Sequence, residues 1–409
     1  MTKAPRKLNP KSKDTPLLAS YGMTKSFGDL VANQDINFSI YPGELHALLG
    51  ENGAGKSTFI KMAYGLLQPD QGYLEWRGER ITVTNPQQAR AMGIGMVFQH
   101  FSLFEALTVA ENIALALPPD FTRQKLSQMI KTKSAEYGIP LNPDSIIADL
   151  SVGQQQRVEI VRCLLQNPSL LIMDEPTSVL TPQETDQLFQ VLKRLAKQGC
   201  AVLFISHKLD EIKQLTTRAT ILRGGIKVAE VKTKDQSTRQ LAELMIGAKV
   251  KEIGTLSTPK SSKTLFSVSG LSRSAEGPFD IALKDISFSV KAGEILGIAG
   301  IAGNGQSELM AALTGEWRPA SAAGVNKIMI GAADMTPLAP AARRRAGLAF
   351  IPEERNGHAA VPSMTLSENA LLTGYDQADV VRRGIINHDN TLAMARHISK
   401  TFDVRQPSD

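Results

Sequence analysis

The chain has 409 residues, 42% of them hydrophobic and 21% charged, with a formal net charge of +6 and two cysteines. That length predicts two or three domains, each with its own core. No run of about 18 apolar residues occurs, so no membrane-spanning helix is expected, and the amino terminus carries no apolar leader-like stretch. Cys163 and Cys200 lie inside apolar runs without metal-like spacing, which predicts buried thiols in a reducing compartment.

Residues 1–14 are polar, with Lys3, Arg6, Lys7, Lys11 and Lys13, and are expected to be a loose basic tail. Apolar residues at Leu17-Leu18 and at Ile36, Phe38 and Ile40 predict strands. Phe27 follows the first of these. It is placed either to stack on a purine base or to pack in the core. Leu45, Ala47, Leu48 and Leu49 form a run suited to a strand buried on both faces. Then comes Gly50-Glu51-Asn52-Gly53-Ala54-Gly55-Lys56-Ser57, a phosphate-cradling loop between strand and helix. Gly53 and Gly55 free the backbone to point N–H groups inward, and the following helix adds its positive end. Lys56 is placed to reach β- and γ-phosphates, and Ser57 to hold Mg²⁺.

Further on, a β segment is expected around Tyr73–Val83, and Gly95–Phe98 reads as a buried strand that delivers Gln99 into a loop. Residues 101–150 are expected to be mostly helical, broken at Pro118-Pro119 and Pro140–Pro143. Leu150-Ser151-Val152-Gly153-Gln154 opens a helix. Leu170–Met173 is an apolar run ending in Asp174-Glu175, two acids at the carboxyl end of a parallel strand, where open α/β sheets keep their sites. After a helix near Glu184–Lys197, Ala201–Ile205 ends in Ser206-His207.

These five stretches in this order resemble the nucleotide-binding domain of an ABC ATPase. The resemblance implies an α/β P-loop NTPase fold: a mostly parallel sheet with an antiparallel β subdomain and a helical subdomain. It also implies roles. Phe27, Gly50, Asn52, Gly53, Gly55, Lys56, Ser57 and Thr58 would bind ATP. Ser57, Gln99 and Asp174 would meet Mg²⁺. Glu175 would act on the attacking water, with Gln99 and His207 at the γ-phosphate. Ser151, Gly153 and Gln154 would close over ATP held by another such domain. Thr181, where most of the family carries an aspartate, and Val152, in place of a signature glycine, are departures that put the usual contact across the dimer in doubt.

The pattern then repeats. Asp35–Ile40 is echoed by Asp285–Val290, Gly50–Ser57 by Gly300–Ser307, and Thr108–Asn112 by Thr365–Asn369. A duplicated domain follows, not a solenoid. The expected organisation is a tail at 1–14, a first ABC ATPase domain at 15–247, a Lys/Ser/Thr-rich linker at 248–264 and a second domain at 265–409. In the second copy Gln306 replaces the lysine and Glu353 takes the place of Gln99, so its nucleotide site is expected to be degenerate. No second signature, acid pair or switch histidine follows before Asp409, which suggests a truncated second copy and poor turnover by this polypeptide alone.

One consensus and one degenerate half resemble the ATP-binding subunits of bacterial simple-sugar importers of the ribose and galactose type. His100–Phe104, the variant signature and Thr177–Glu184 lean toward the nucleoside branch. The partners implied are membrane permease subunits, gripped through His100–Leu107, and indirectly a solute-binding protein. The implied location is cytoplasmic, on the inner face of the membrane, with no nucleic acid. A soluble tandem ATPase acting on ribosomes or DNA is disfavoured by Gln306 and the short linker. A non-catalytic nucleotide-binding remnant is the other alternative.

Overall fold

The computed structural model describes residues 15–98, 102–117, 121–249, 263–275, 277, 280–300, 303–318, 326–354, 357–375 and 380–404. Two compact units divide the chain, Met1–Glu252 and Ile253–Asp409.

The first unit runs through β1 (Leu18–Phe27), β2 (Leu30–Ile40), β3 (Leu45–Leu49), α1 (Lys56–Ala63), β4 (Gln71–Trp76), β5 (Glu79–Ile81), α2 (Pro86–Met92) and β6 (Ile94–Val97). It continues with α3 (Val109–Ala114), α4 (Arg123–Glu136), α5 (Val152–Leu164), β7 (Leu170–Asp174), α6 (Pro182–Lys197), β8 (Ala201–Ile205), α7 (Leu209–Leu215), β9 (Arg218–Arg223), β10 (Ile226–Lys232) and α8 (Thr238–Ile246). Its main sheet has the order β10-β9-β3-β8-β7-β6, parallel except for β10 at one edge. Strands with helices on both faces need apolar side chains at every position. β3 and β8 are buried at all five residues. Along β7, Leu171 and Met173 enter one core while Leu170 and Ile172 enter the other. Helix α6 lays Leu188, Phe189, Val191, Leu192 and Leu195 against this layer, the spacing of one helical face.

A second sheet, β2-β1-β4-β5, is antiparallel throughout and shares its core with the main sheet through Leu18, Ile36, Phe38 and Leu74. Residues 101–150 hold less helix than their pattern predicts. Described there are α3, α4 and one 3₁₀ turn at Ile147–Asp149, with loops between. The reason is local: a Thr108–Glu111 capping box delays the start of α3. Gly138, at φ +75°, stops the run that α4 begins.

The second unit contains β11 (Thr264–Arg273), β12 (Leu283–Lys291), α9 (Gln306–Thr314), β13 (Lys327–Ile330), β14 (Ala333–Asp334), α10 (Pro340–Arg345), α11 (Leu366–Gly374), β15 (Val381–Arg382), β16 (Ile385–Ile386) and α12 (His388–Thr401). The repeat seen in the sequence is repeated in backbone detail. Asp35 and Asp285, 250 residues apart, both take positive φ (50° and 49°), and each donates its N–H to a hydroxyl, of Thr24 and Ser272 respectively. The Thr365–Glu368 capping box of α11 copies that of α3. The central sheet is not copied among the described residues. Glu294–Gly300, the counterpart of β3, forms no strand, and Ile295 is 85% and Ile298 54% exposed. Ile351, in the counterpart of β6, is 90% exposed. In the first unit β3 bonds to β8 and β9, and β6 to β7. A central strand is made by its neighbours, and the counterparts of β3 and β6 have none among the described residues.

Candidate functional site

The loop between β3 and α1 is shaped by two glycines that no other residue can replace. A Cβ on Gly50 would lie 2.4 Å from the Leu222 carbonyl oxygen. A Cβ on Gly55, at φ +96°, would lie 2.4 Å from the Ala32 carbonyl oxygen. Gly55 also caps α1 without any side-chain bond, so the first N–H groups of that helix remain open to a ligand. Beneath the loop, the fully buried Asn33 of β2 donates from Nδ2 to the Gly55 carbonyl at 3.2 Å, and its Oδ1 has no partner. Asn52, Gly53 and Ser57 face solvent along the rim, with Thr58 half-buried.

Lys56 turns back over its own loop and donates to the carbonyls of Gly50 (2.8 Å) and Glu51 (2.9 Å). Burial lowers its ammonium pKa below the usual lysine range, opposed by the charges of Glu175 and Asp174. Asp174 is raised by burial and by Glu175, opposed by Lys56 and Lys61. The loop cation and the two acids therefore share one electrostatic site at the carboxyl ends of β3 and β7.

His207, just past β8, completes it. Its Nδ1 lies 3.2 Å from Glu175 Oε1, and its side chain is 59% exposed against 16% for Glu175. The Glu175 backbone sits at φ +48°, in the left-handed region, while its N–H donates to the Ile205 carbonyl at 2.9 Å. A non-glycine residue held there costs on the order of 1 kcal/mol and persists where neighbours over-determine it.

Of the other candidates, Phe27 ends β1 with 47% of its surface exposed and the Lys25 ammonium 5.7 Å from its ring centre. The ring lies at the surface, not packed in the core. Ser151, Gly153 and Gln154 lie at the start of α5. Ser151 caps that helix in a reciprocal box with Gln154. A Cβ on Gly153 would lie 2.3 Å from Glu184 Oε1, so a larger residue there would displace that carboxylate. Thr181 and Glu184 form the capping box of α6, which gives the threonine at that departure a local purpose. Gln99, His100 and Phe101 lie outside the described residues. Cys163 and Cys200 are buried free thiols, each pushed up to about 12 by burial, so they stay protonated and inert.

Two acids that carry no motif also bear on the site. One is Glu211 of α7, four residues after His207. Glu159 of α5, 2% exposed, accepts the Ser102 N–H at 2.8 Å, and Arg162 bonds both to Glu159 and to the Ser102 carbonyl (2.9 Å). One ion pair thus holds both backbone groups of the residue three past Gln99. Beside it opens a cavity of about 310 Å³ lined by Tyr64, Met96, Phe98, Phe104, Leu115 and Arg162. Burial raises the Glu159 carboxyl above the glutamate range, with Arg162 and the Ser102 N–H pulling the other way. Since its folded value is the higher, the folded state binds this proton more tightly. The resulting stability is present at acid pH and is lost as pH rises through the folded value. Glu159→Gln is therefore expected to flatten the pH dependence of the unfolding free energy from urea titrations above about pH 4, by at most about 1.4 kcal/mol per pH unit.

A model of the ABC transporter family matches residues 33–178 and again 283–405. The chain belongs to the ABC transporter family. It is 38% identical over 391 residues to the nucleoside import ATP-binding protein NupA of Lactococcus lactis subsp. cremoris, covering 94% of this chain and 76% of that protein. It is 38% identical over 389 residues to the guanosine import ATP-binding protein NupO of Bacillus subtilis (94% and 75%), and 35% identical over 397 residues to a ribose import ATP-binding protein of Rubrobacter xylanophilus (96% and 77%). Among solved structures, a nucleotide-free ATP-binding cassette from an ABC transporter superposes with a TM-score of 0.52 at 25% identity, over 58% of this chain and all of that one. Family and fold agree: this is an ABC-type ATPase.

Proposed function

We propose that this ABC-type ATPase energises import of a nucleoside or simple sugar, and that the first unit is its ATP-binding engine. The carrying observation is Lys56, folded over the glycine loop onto the Gly50 and Glu51 carbonyls and sharing one field with Asp174 and Glu175. Phosphoryl transfer to water needs positioning and charge stabilisation more than covalent help. In this reading Lys56, Thr58 and the loop amides around Asn52, Gly53 and Gly55 grip the phosphates, and Phe27 offers its exposed ring to the purine. Ser57 and Asp174, with Gln99, are oxygen ligands of the hard type that Mg²⁺ prefers. That ion, when bound, neutralises phosphate charge. Glu175 orients or deprotonates the attacking water, and His207 reaches the γ-phosphate. Ser151, Gly153 and Gln154 close over nucleotide held by another nucleotide-binding lobe.

Supporting a nucleoside ahead of a sugar are the two relatives at 38% identity, both named for nucleoside or guanosine import. We assign the cavity lined by the exposed Phe104 to the permease and, with it, a seat for the protein on the inner face of a membrane. No helix among the described residues is long and apolar enough to cross one. The test is complementation of a bacterial strain lacking its nucleoside-import ATPase, with uptake of labelled guanosine and ribose measured side by side. Restored guanosine uptake supports the reading. Failure of both, together with co-purification of nucleic acid, refutes it.

A further inference from the structure

We propose that Glu211 is a positioning residue for hydrolysis, joining the turn that carries Glu175 to the turn that carries His207 and fixing their separation. The proposal rests on the roles given to those two residues above.

Glu211 lies in the first turn of α7, four residues after His207. One of its oxygens, Oε2, accepts the Thr177 hydroxyl at 2.6 Å and the Ser206 hydroxyl at 3.1 Å. The other, Oε1, lies 3.2 Å from Lys208 Nζ, which also donates to the Thr177 carbonyl at 2.9 Å. Ser206 Oγ in turn accepts the Lys208 N–H at 3.1 Å. Thr177 is 1% and Ser206 3% exposed, so these bonds form away from competing water. Thr177 stands two residues after Glu175, and Ser206 immediately precedes His207. A single carboxylate is therefore tied to both turns.

Both turns need such a tie. The His207 ring is more than half exposed, so packing does not fix it, and its place follows from the backbone at Ser206. Glu175 occupies a left-handed backbone position that must be held by its surroundings. The Thr177 hydroxyl bond is a hold on the residue two positions on. Catalytic groups misplaced by about an ångström lose rate by up to about 100-fold.

The chemistry at Glu211 separates a positioning role from simple folding. Glutamine can keep the oxygen that takes both hydroxyls but sets an NH₂ against the Lys208 ammonium. Removing that ammonium relieves the conflict but also drops its bond to the Thr177 carbonyl, so the recovery is partial. The experiment measures single-turnover ATP hydrolysis with protein in excess, ATP affinity and the thermal midpoint for E211A, E211Q, K208M/E211Q and S206A. Expected is a fall in rate of about 10- to 100-fold in E211A, with ATP affinity changed by less than about twofold. E211Q should fall between, K208M/E211Q should recover part of the loss, and S206A should lose a few-fold. Wild-type rates in E211A and S206A overturn the proposal. So does a loss of rate that merely tracks lost affinity or a lower midpoint, without recovery in the double variant. Should E211A fail to fold, the S206A and E211Q results decide alone. An E175Q variant that still hydrolyses ATP removes the parent reading and this proposal with it. Loss in E175Q alone overturns only the role of Glu211.

Discussion

Replacing Lys56 with alanine is expected to weaken ATP binding by about 100-fold, or ~3 kcal/mol, measured by titration calorimetry at fixed Mg²⁺ and ionic strength. Without nucleotide the ammonium satisfies itself on the Gly50 and Glu51 carbonyls. Both bonds are part-buried, so their loss should lower the thermal midpoint by only about 2–4 °C. The affinity should collapse because a triphosphate brings concentrated negative charge into a site already holding Asp174 and Glu175. With the cation gone, nearby carboxylates repel the ligand without compensation. Lys56→Gln should behave like alanine, because a neutral amide donates hydrogen bonds but carries no charge. That substitution also imitates the second unit, where Gln306 begins α9 as Lys56 begins α1. Lys61, exposed further along α1, is the control, and its removal should change affinity by less than about threefold. Unchanged affinity in K56A would sink the assignment of the site.

Glu175→Gln is expected to do the reverse: hold ATP with near-native affinity and lose hydrolysis by about 100- to 1000-fold. Glutamine keeps the shape and can keep the contact with His207. It cannot accept a proton or polarise water as a carboxylate does. Removing one negative charge beside the triphosphate should, if anything, tighten binding. Rapid-quench measurement of ADP formation, beside equilibrium affinity, separates the two effects. A variant that loses affinity and rate together would mean that Glu175 is part of the binding surface and not of the chemistry.

The division between what was legible and what was not has a physical cause. The phosphate loop declares itself because its function is local: strand, glycines, lysine and helix are consecutive. Asp174-Glu175 and Ser206-His207 declare themselves because parallel strands deliver their active residues at one end. Glu211, Glu159 and Asn33 do not. Each acts through a partner 22 to 57 residues away, respectively Thr177 at 34, Ser102 at 57 and Gly55 at 22, and nothing in its own neighbourhood marks it. The capping role of Thr181 was open to reading, from Pro182 and Glu184 beside it. Least legible was the second unit. Its letters copy β3 and β6, but strand formation there depends on residues that would have to lie alongside, and no pattern within the segment reports on them.

That last difference has a practical face. Branched aliphatic residues turned to water outside any strand, as Ile295, Ile298 and Ile351 are, resemble surface that folded proteins normally hide or arm with charge. Such a seam recruits whatever polypeptide is nearest, including its own kind, as concentration rises. For a polypeptide of these 409 residues, the side chains at 295, 298 and 351 are where self-association should begin, which light scattering against concentration would show.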